Sequence, residues 1–303
     1  MASLGTRAFG AFFRLLGADR PLRSTEAAET FLNDLTLRPA SYAPPKKLGA
    51  PVDIRIMHSH PWPVYEVTPE NGPCNGVVFY VHGGAWALEI QAAQWKLVAE
   101  VAAKAQTRVI VPIYPLLPRG SATDVVERIA SLTRDAVAAY GADNVSLWGD
   151  SAGGQISLSA ALLLRDDGIA VRSTVLVAPA VDLTFTNPAI ADVERVDPLL
   201  KAPGIRVAAN LWRGDLDIRD PRVSPLHGDL TGLGRLEIFS GTRDITNPDT
   251  RLLVEKARAS GVSVNYHEGR DLIHVTVVLP TKDGRSIRKS IVDALRVASS
   301  PQR

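Results

Sequence analysis

Asn144-Val145-Ser146-Leu147-Trp148-Gly149-Asp150-Ser151-Ala152-Gly153-Gly154 decides how the rest of the chain is read. Val145 to Trp148 is a short apolar run suited to a buried strand, and it stops at a glycine. After Gly153-Gly154 an Ala- and Leu-rich segment continues to Arg165 and predicts a helix. The stretch is therefore strand, sharp turn and helix, with Ser151 at the apex. Gly149 and Gly153 complete a Gly-x-Ser-x-Gly pattern that keeps side chains away from a strained turn. Such a turn pushes the serine hydroxyl clear of the backbone, and the free N–H groups of the next helix face an anion.

A serine placed in this way needs a base, an acid to orient the base, and a second oxyanion donor besides the Ala152 N–H. On this kind of turn the expected chain order is Ser, then Asp or Glu, then His, with the extra donor upstream. Val81-His82-Gly83-Gly84-Ala85-Trp86 follows directly on an apolar strand, and its glycines let the backbone approach a substrate oxygen. Gly83, Gly84, Ala85 and Ala152 are the candidate oxyanion hole, with His82 read as holding the loop. Asp244, in Ser240-Gly241-Thr242-Arg243-Asp244, ends a strand and is the candidate acid. Its rival Asp249 follows Pro248, where a carboxylate suits the start of a helix. His274, on a loop after the last predicted strand, is the candidate base, and His267 sits inside or at the end of that strand. His58 and His60 form a pair without a third ligand and are read as a strand face, so no metal is expected.

The bulk numbers fit this reading. The 303 residues are 46% hydrophobic and 22% charged, as in a globular protein with a sizeable core. A net charge of +2 with scattered Lys and Arg argues against a nucleic-acid partner. Cys74 is the single cysteine, so no internal disulfide can form, which accords with a cytoplasmic location. No apolar run approaches the roughly 20 residues that a membrane span needs. No Gly-x-Gly-x-x-Gly opens a helix and no Gly-Lys-Ser/Thr is present, so no cofactor is expected.

From the N-terminus, the apolar residues Phe9, Phe12, Phe13 and Leu16 fit one helical face, read as packing over the domain; Arg14 argues against a signal peptide. A second helix is predicted from Thr25 to Leu35, then an extended proline-marked linker and a hairpin of Val52–Met57 with Val64–Val67. From Gly76 the pattern becomes strand and helix in alternation. Strands are predicted at Gly76–Val81, Val109–Ile113, Val145–Trp148, Val171–Ala178, Leu236–Ser240 and Val262–His267. Helices are predicted at Gln91–Ala105, Thr123–Tyr140, Pro248–Ser260 and Ser286–Ala298, besides the one after Ser151. Strands that are apolar throughout and alternate with helices mean a mostly parallel sheet covered on both faces, an α/β fold. Residues 1–60 are read as an N-terminal helical cap or lid segment and 61–303 as the catalytic domain. Within the latter, a stretch from about 181 to 225, with a helix near Ile205–Trp212, reads as an insertion over the ligand-binding edge of the sheet. Trp86, Phe185 and Trp212 are the candidate pocket walls. The last strand or last helix is available to pair with a second copy in a homo-oligomer.

His82-Gly83-Gly84 and Gly149-Asp150-Ser151-Ala152-Gly153-Gly154 resemble the two signature motifs of the hormone-sensitive-lipase-like group of α/β-hydrolases. Asp220-Pro221-Arg222-Val223-Ser224-Pro225-Leu226 is similar to the segment that follows the lid in that group, and Tyr114-Pro115-Leu116-Leu117-Pro118 stands where the group has Tyr-Arg-Leu-Ala-Pro. The resemblance implies an α/β-hydrolase fold and cofactor-free hydrolysis of short- to medium-chain acyl esters by a Ser151–His274–Asp244 triad through an acyl-enzyme. It also implies oxyanion donors at Gly84, Ala85 and Ala152. The chain departs from the group at Ala85, where many members carry a third glycine, at Pro115, and at Val275-Thr276, where Gly-Phe is usual. Two further readings stand beside it. His-Gly-Gly-x-Trp also occurs in arylformamidase-like amide hydrolases, although those carry His where this chain has Asp150. A non-catalytic binding protein on the same fold would be expected to have lost a triad member.

Overall fold

The computed structural model describes residues 1–57 and 61–297. The His58–His60 pair and Ala298, the expected end of the last helix, lie outside the described residues.

β3 (Val77–Val81), β4 (Arg108–Pro112), β5 (Val145–Asp150) and β6 (Ser173–Val177) are short, rich in β-branched residues and buried nearly throughout. Such strands are stable only with both faces covered, and they pair in parallel. β7 (Arg235–Arg243) and β8 (Val264–Ile273) extend the sheet in parallel. The expected hairpin forms as β1 (Val52–Met57) and β2 (Val64–Pro69), with β2 antiparallel to both β1 and β4. The full order is β1-β2-β4-β3-β5-β6-β7-β8, which puts β5 and its C-terminal Ser151 near the middle.

Helices cover both faces. On one side α3 (Ala92–Ala105) and α9 (Lys282–Leu295) bury Trp95, Val98, Ile291 and Leu295 against Tyr80, Trp148 and Val175. On the other, α4 (Ala122–Tyr140), α5 (Ala152–Asp166) and α8 (Asn247–Ala259) bury Ile129, Ile156, Leu158 and Leu253. Each such side chain removed from water contributes roughly 1.5–3 kcal/mol before the entropy cost of ordering it. Ser121 caps α4, its hydroxyl accepting the Asp124 N–H, and Gln91 with Gln94 makes a reciprocal cap on α3.

β8 runs to Ile273, six residues past its expected end at His267. Glu268-Gly269-Arg270-Asp271 lacks apolar alternation, but its backbone pairs with the end of β7, with Gly241 opposite Gly269 and a register shift before Arg243. His274 therefore follows directly on a strand, held by sheet hydrogen bonds.

α1 (Leu4–Leu16) and α2 (Thr25–Leu37) form at the N-terminus, and between β6 and β7 lie α6 (Ile190–Glu194) and α7 (Ala202–Trp212). α6 is too short for periodicity to reveal it. α2 packs on α7, so the N-terminal segment meets the stretch between β6 and β7. α1 rests on β8 and α9, but not as expected: Phe12 and Leu16 face solvent, and only Phe9 and Phe13 are half-buried.

Candidate active site

Ser151 occupies a strained backbone conformation with positive φ (φ 52°, ψ −119°) between β5 and α5. The residues two positions before and after it must be glycine because the turn leaves no room there for a Cβ. One added at Gly153 would sit 1.9 Å from the Val81 carbonyl oxygen, and one at Gly149 2.2 Å from that of Gly153. The turn is pinned by Ser151 N–H donating to Val177 O at 2.8 Å.

Ser151, His274 and Asp244 come together from three strand ends. Ser151 Oγ lies 2.9 Å from His274 Nε2, and His274 Nδ1 lies 2.8 Å from Asp244 Oδ2. Asp244 is fully buried, and its other oxygen accepts the N–H and hydroxyl of Thr246, both at 2.9 Å. Burial pulls the pKa of His274 down. The charge and hydrogen bond of Asp244, joined by Asp197 and Asp150, outweigh it and leave the pKa above the ordinary histidine value. Asp249 lies elsewhere, buried early in α8, where its carboxylate accepts from Asn187 Nδ2 at 2.8 Å. Burial pushes that carboxyl up to about 6, against the Asn187 hydrogen bond and with help from Asp182. His267 is half-exposed on β8, stacked on Phe239 and paired with Glu237.

The His82-Gly83-Gly84 loop faces Ser151. Gly83 departs from the expectation made for it, because its N–H donates to Asp150 Oδ1 at 3.0 Å and is thereby spent. No turn, loop or side-chain acceptor among the described residues takes the N–H of Gly84, Ala85 or Ala152. Ala85 and Trp86 both have positive φ, 51° and 58°, a conformation in which the glycine usual at position 85 carries no strain. Val275, where glycine is also usual, has φ 44° for the same reason. His82 is buried, stacked on Tyr114 with ring centroids 4.5 Å apart, and its Nδ1 lies 2.9 Å from Gly83 O. Burial lowers its pKa, which suits a neutral ring holding the loop. Tyr114 OH donates to His82 O at 2.8 Å, so the Tyr-Pro-Leu-Leu-Pro segment braces the same loop.

An apolar cavity of about 300 Å³ opens in front of Ser151. Trp86 and Phe185 line it, as do Leu22 and Phe31 from the N-terminal segment and Leu200 and Ile205 from the insertion. Trp212 does not. It is fully buried, and its indole N–H donates to Gln155 Oε1 at 3.0 Å, the oxygen that also accepts from Trp86. A second, more polar cavity of about 240 Å³ lies at the ends of β7 and β8 and includes neither Ser151 nor His274.

Two carboxylates in the site were not singled out for these roles from the sequence. Asp150 ties Gly83 N, Tyr80 OH (2.6 Å) and Gln94 Nε2 (3.0 Å) together, and its place inside Gly-Asp-Ser was the available signal. Asp197 accepts the N–H groups of Leu199 (2.8 Å), Leu200 (3.0 Å) and Ile245 (3.0 Å), linking the cavity wall to the residue after Asp244. Burial and the charge of Asp244 push its carboxyl up to about 6. The bonds to Leu199 and Leu200 are local, but the link to Ile245 and the charge of Asp244 lie 48 and 47 residues away, and nothing near Asp197 in the sequence announces them.

Residues 78–278 match the family model of the alpha/beta hydrolase fold, about two thirds of the chain. The chain belongs to the α/β-hydrolase family. Within it, relatives are named as a triacylglycerol lipase, an acetyl-hydrolase and an esterase. This α/β-hydrolase is 32% identical over 218 residues to a triacylglycerol lipase of Mycobacterium tuberculosis, a match covering 71% of the chain and 45% of that lipase, so it spans under half the lipase's length. It is 30% identical over 207 residues to an acetyl-hydrolase of Streptomyces hygroscopicus, covering 65% of the chain and 67% of that protein. The crystal structure of a hormone-sensitive lipase from a metagenome library superposes with a TM-score of 0.82 over 98% of the chain and 100% of that structure. At 22% identity the last likeness speaks for the fold. Among the described residues no helix is long and apolar enough to cross a membrane.

Proposed function

We propose that this α/β-hydrolase is a serine carboxylesterase that cleaves short- to medium-chain acyl esters through Ser151, His274 and Asp244. The observation that carries the proposal is the unbroken hydrogen-bond chain from Ser151 Oγ through His274 to Asp244 at the floor of an apolar cavity. His274 Nε2 takes the Ser151 proton as Oγ attacks the ester carbonyl, and Asp244 stabilises the imidazolium that forms. The oxyanion is received by the N–H groups of Gly84, Ala85 and Ala152, with Gly83 as their anchor on Asp150. The imidazolium returns the proton to the leaving alcohol and an acyl-Ser151 ester remains. Water, deprotonated by His274, then attacks that ester, and the acid and free Ser151 are released.

Trp86, Phe185, Phe31 and Leu200 form the acyl wall in this reading. A cavity of about 300 Å³ is at the small end of ligand sites, roughly 300–1,000 Å³, which supports short and medium acyl groups. Residues 1–60 and about 181–225 act as the cap over the catalytic domain, supported by the packing of α2 on α7. A cytoplasmic location belongs to the same proposal and is tested by fractionation.

The test is hydrolysis of p-nitrophenyl esters from acetyl to dodecanoyl by wild type and Ser151→Ala. The expected outcome is cleavage of short esters by wild type and a loss of several orders of magnitude in the variant, since the triad acts as a unit. Failure of wild type on the whole series would overturn the proposal.

A further inference from the structure

Helix α1 leaves a broad part of its apolar surface in solvent. Leu4, Ala8, Ala11 and Leu15 recur at spacings of four and three, so they share one face, and Phe12 and Leu16 adjoin it. That face points to solvent: Leu4 is 81% exposed, Leu15 82%, Leu16 57% and Phe12 50%. The opposite face meets the protein through small and polar residues, with Phe9 and Phe13 half-buried beside them. Thr6 and Gly10 are its buried residues. Thr6 Oγ1 donates to Asp283 Oδ2 at 2.6 Å, the same oxygen accepts Ser3 N–H at 2.8 Å, and Gly10 lies against Ile273. These bonds fix the helix on α9 and β8 with its apolar stripe outward.

The charged side chains of α1 itself are all of one sign. Residues 1–18 contain no Asp or Glu, and Asp19 is buried and paired with Arg23. Arg7 and Arg14, seven residues apart, edge the stripe on one side. Arg14 Nη2 donates to Val196 O at 2.7 Å, and Arg243 Nη2 donates to the same carbonyl at 3.2 Å, so two guanidinium groups converge there, with Asp271 and Asp197 acting on Arg243. The end of the stripe is close in sequence to the cavity wall. Leu15 and Leu16 lead through Gly17 to Ala18, which is exposed and lines the cavity with Pro21, Leu22 and Phe31.

An exposed apolar stripe edged by arginine suits a helix lying in the plane of a lipid surface, side chains among the acyl chains and guanidinium groups at the phosphates. We propose that α1 docks the enzyme on anionic lipid surfaces and sets the cavity mouth against them, so that its substrates include esters held in a lipid phase. The substrate part rests on the carboxylesterase reading; the docking does not require catalysis.

The experiment is co-sedimentation of the full chain with phosphatidylglycerol–phosphatidylcholine vesicles and with phosphatidylcholine vesicles alone, at low and high salt. The proteins are wild type, Ser151→Ala and Leu4→Ser/Leu15→Ser, whose altered side chains are solvent-facing, so that the thermal melt should match wild type. Wild type and Ser151→Ala should partition equally, and at least ~10-fold more strongly onto the anionic vesicles, with the excess lost in salt. The double leucine variant should lose at least ~10-fold of that partitioning because two apolar side chains no longer leave water. It should keep the wild-type rate on soluble p-nitrophenyl butyrate. Absence of binding, or equal binding by the leucine variant, would overturn the proposal. So would a wild-type dimer that the leucine variant converts to a monomer in sedimentation velocity, since a second copy would then cover the stripe. Vesicle binding without ester hydrolysis would sink the esterase reading and leave the docking intact.

Discussion

Asp150→Asn tests whether the backbone donors facing Ser151 are held in place by a buried carboxylate. Asp150 is 3% exposed and receives Tyr80 OH and Gly83 N–H on one oxygen and Gln94 Nε2 on the other. In the variant the least disruptive placement puts the new NH₂ against Gln94 Nε2, a donor facing a donor. Turning the Gln94 amide would relieve this but would break the bond that Gln94 Oε1 accepts from Gln91 N at 2.7 Å. One hydrogen bond is therefore lost, and the bonds of Tyr80 and Gly83 fall from charged to neutral. Bonds to charged groups contribute about 1.5–3 kcal/mol and neutral ones about 0.5–1.5 kcal/mol, so the gross loss is about 4–5 kcal/mol. Relief from burying a charge offsets part of it, leaving an expected destabilisation of about 2 kcal/mol. Gly83 adjoins Gly84 and Ala85, and full removal of one oxyanion donor costs roughly 10²–10³ in kcat. A loosened anchor should cost about 10–100-fold in kcat with a smaller change in KM, because the apolar walls formed by Trp86, Phe185, Phe31 and Leu200 are unaltered. Urea unfolding and steady-state hydrolysis of p-nitrophenyl butyrate measure both effects. A kcat within threefold of wild type would refute the anchoring role.

Three further outcomes are expected. His274 acts as a base only when neutral, and its pKa is raised, so kcat/KM should fall with acid through a limb above the ordinary histidine value of about 6.5. Asp197→Asn removes one of the carboxylates that raise it and should move that limb to lower pH; an unmoved limb in the pH–rate profile would contradict the assignment. Gln155→Leu strands the indole N–H groups of Trp86 and Trp212 and removes the donor to Arg222 O, each at about 1–3 kcal/mol, so urea unfolding should show a loss of about 4 kcal/mol. Ala85→Gly relieves a left-handed alanine that costs roughly 1–2 kcal/mol and should raise stability by about 1 kcal/mol; a melting temperature at or below wild type would count against that strain.

What could be read in the sequence is what short-range physics decides. Apolar runs of five or six residues alternating with helical segments specify a doubly covered parallel sheet wherever they occur, so the α/β architecture was legible from Gly76 onward. Gly149, Ser151 and Gly153 were legible because a tight strand-to-helix turn excludes side chains at fixed offsets. The order Ser151, Asp244, His274 could be read because each residue stands at or just beyond the C-terminal end of a parallel strand, and parallel strands bring such ends to one edge. Tertiary structure decided whatever depends on a neighbour distant in sequence. Trp86 and Trp212 look alike in the chain, yet one meets the cavity and the other the core, both through Gln155. Gly83 looks like its neighbour Gly84 until Asp150, which lies 67 residues away, takes its N–H. Phe12 and Leu16 read as core because helical periodicity identifies a face and leaves open what that face meets. Its direction was set by Thr6 reaching Asp283 across 277 residues, a contact that only the folded chain contains.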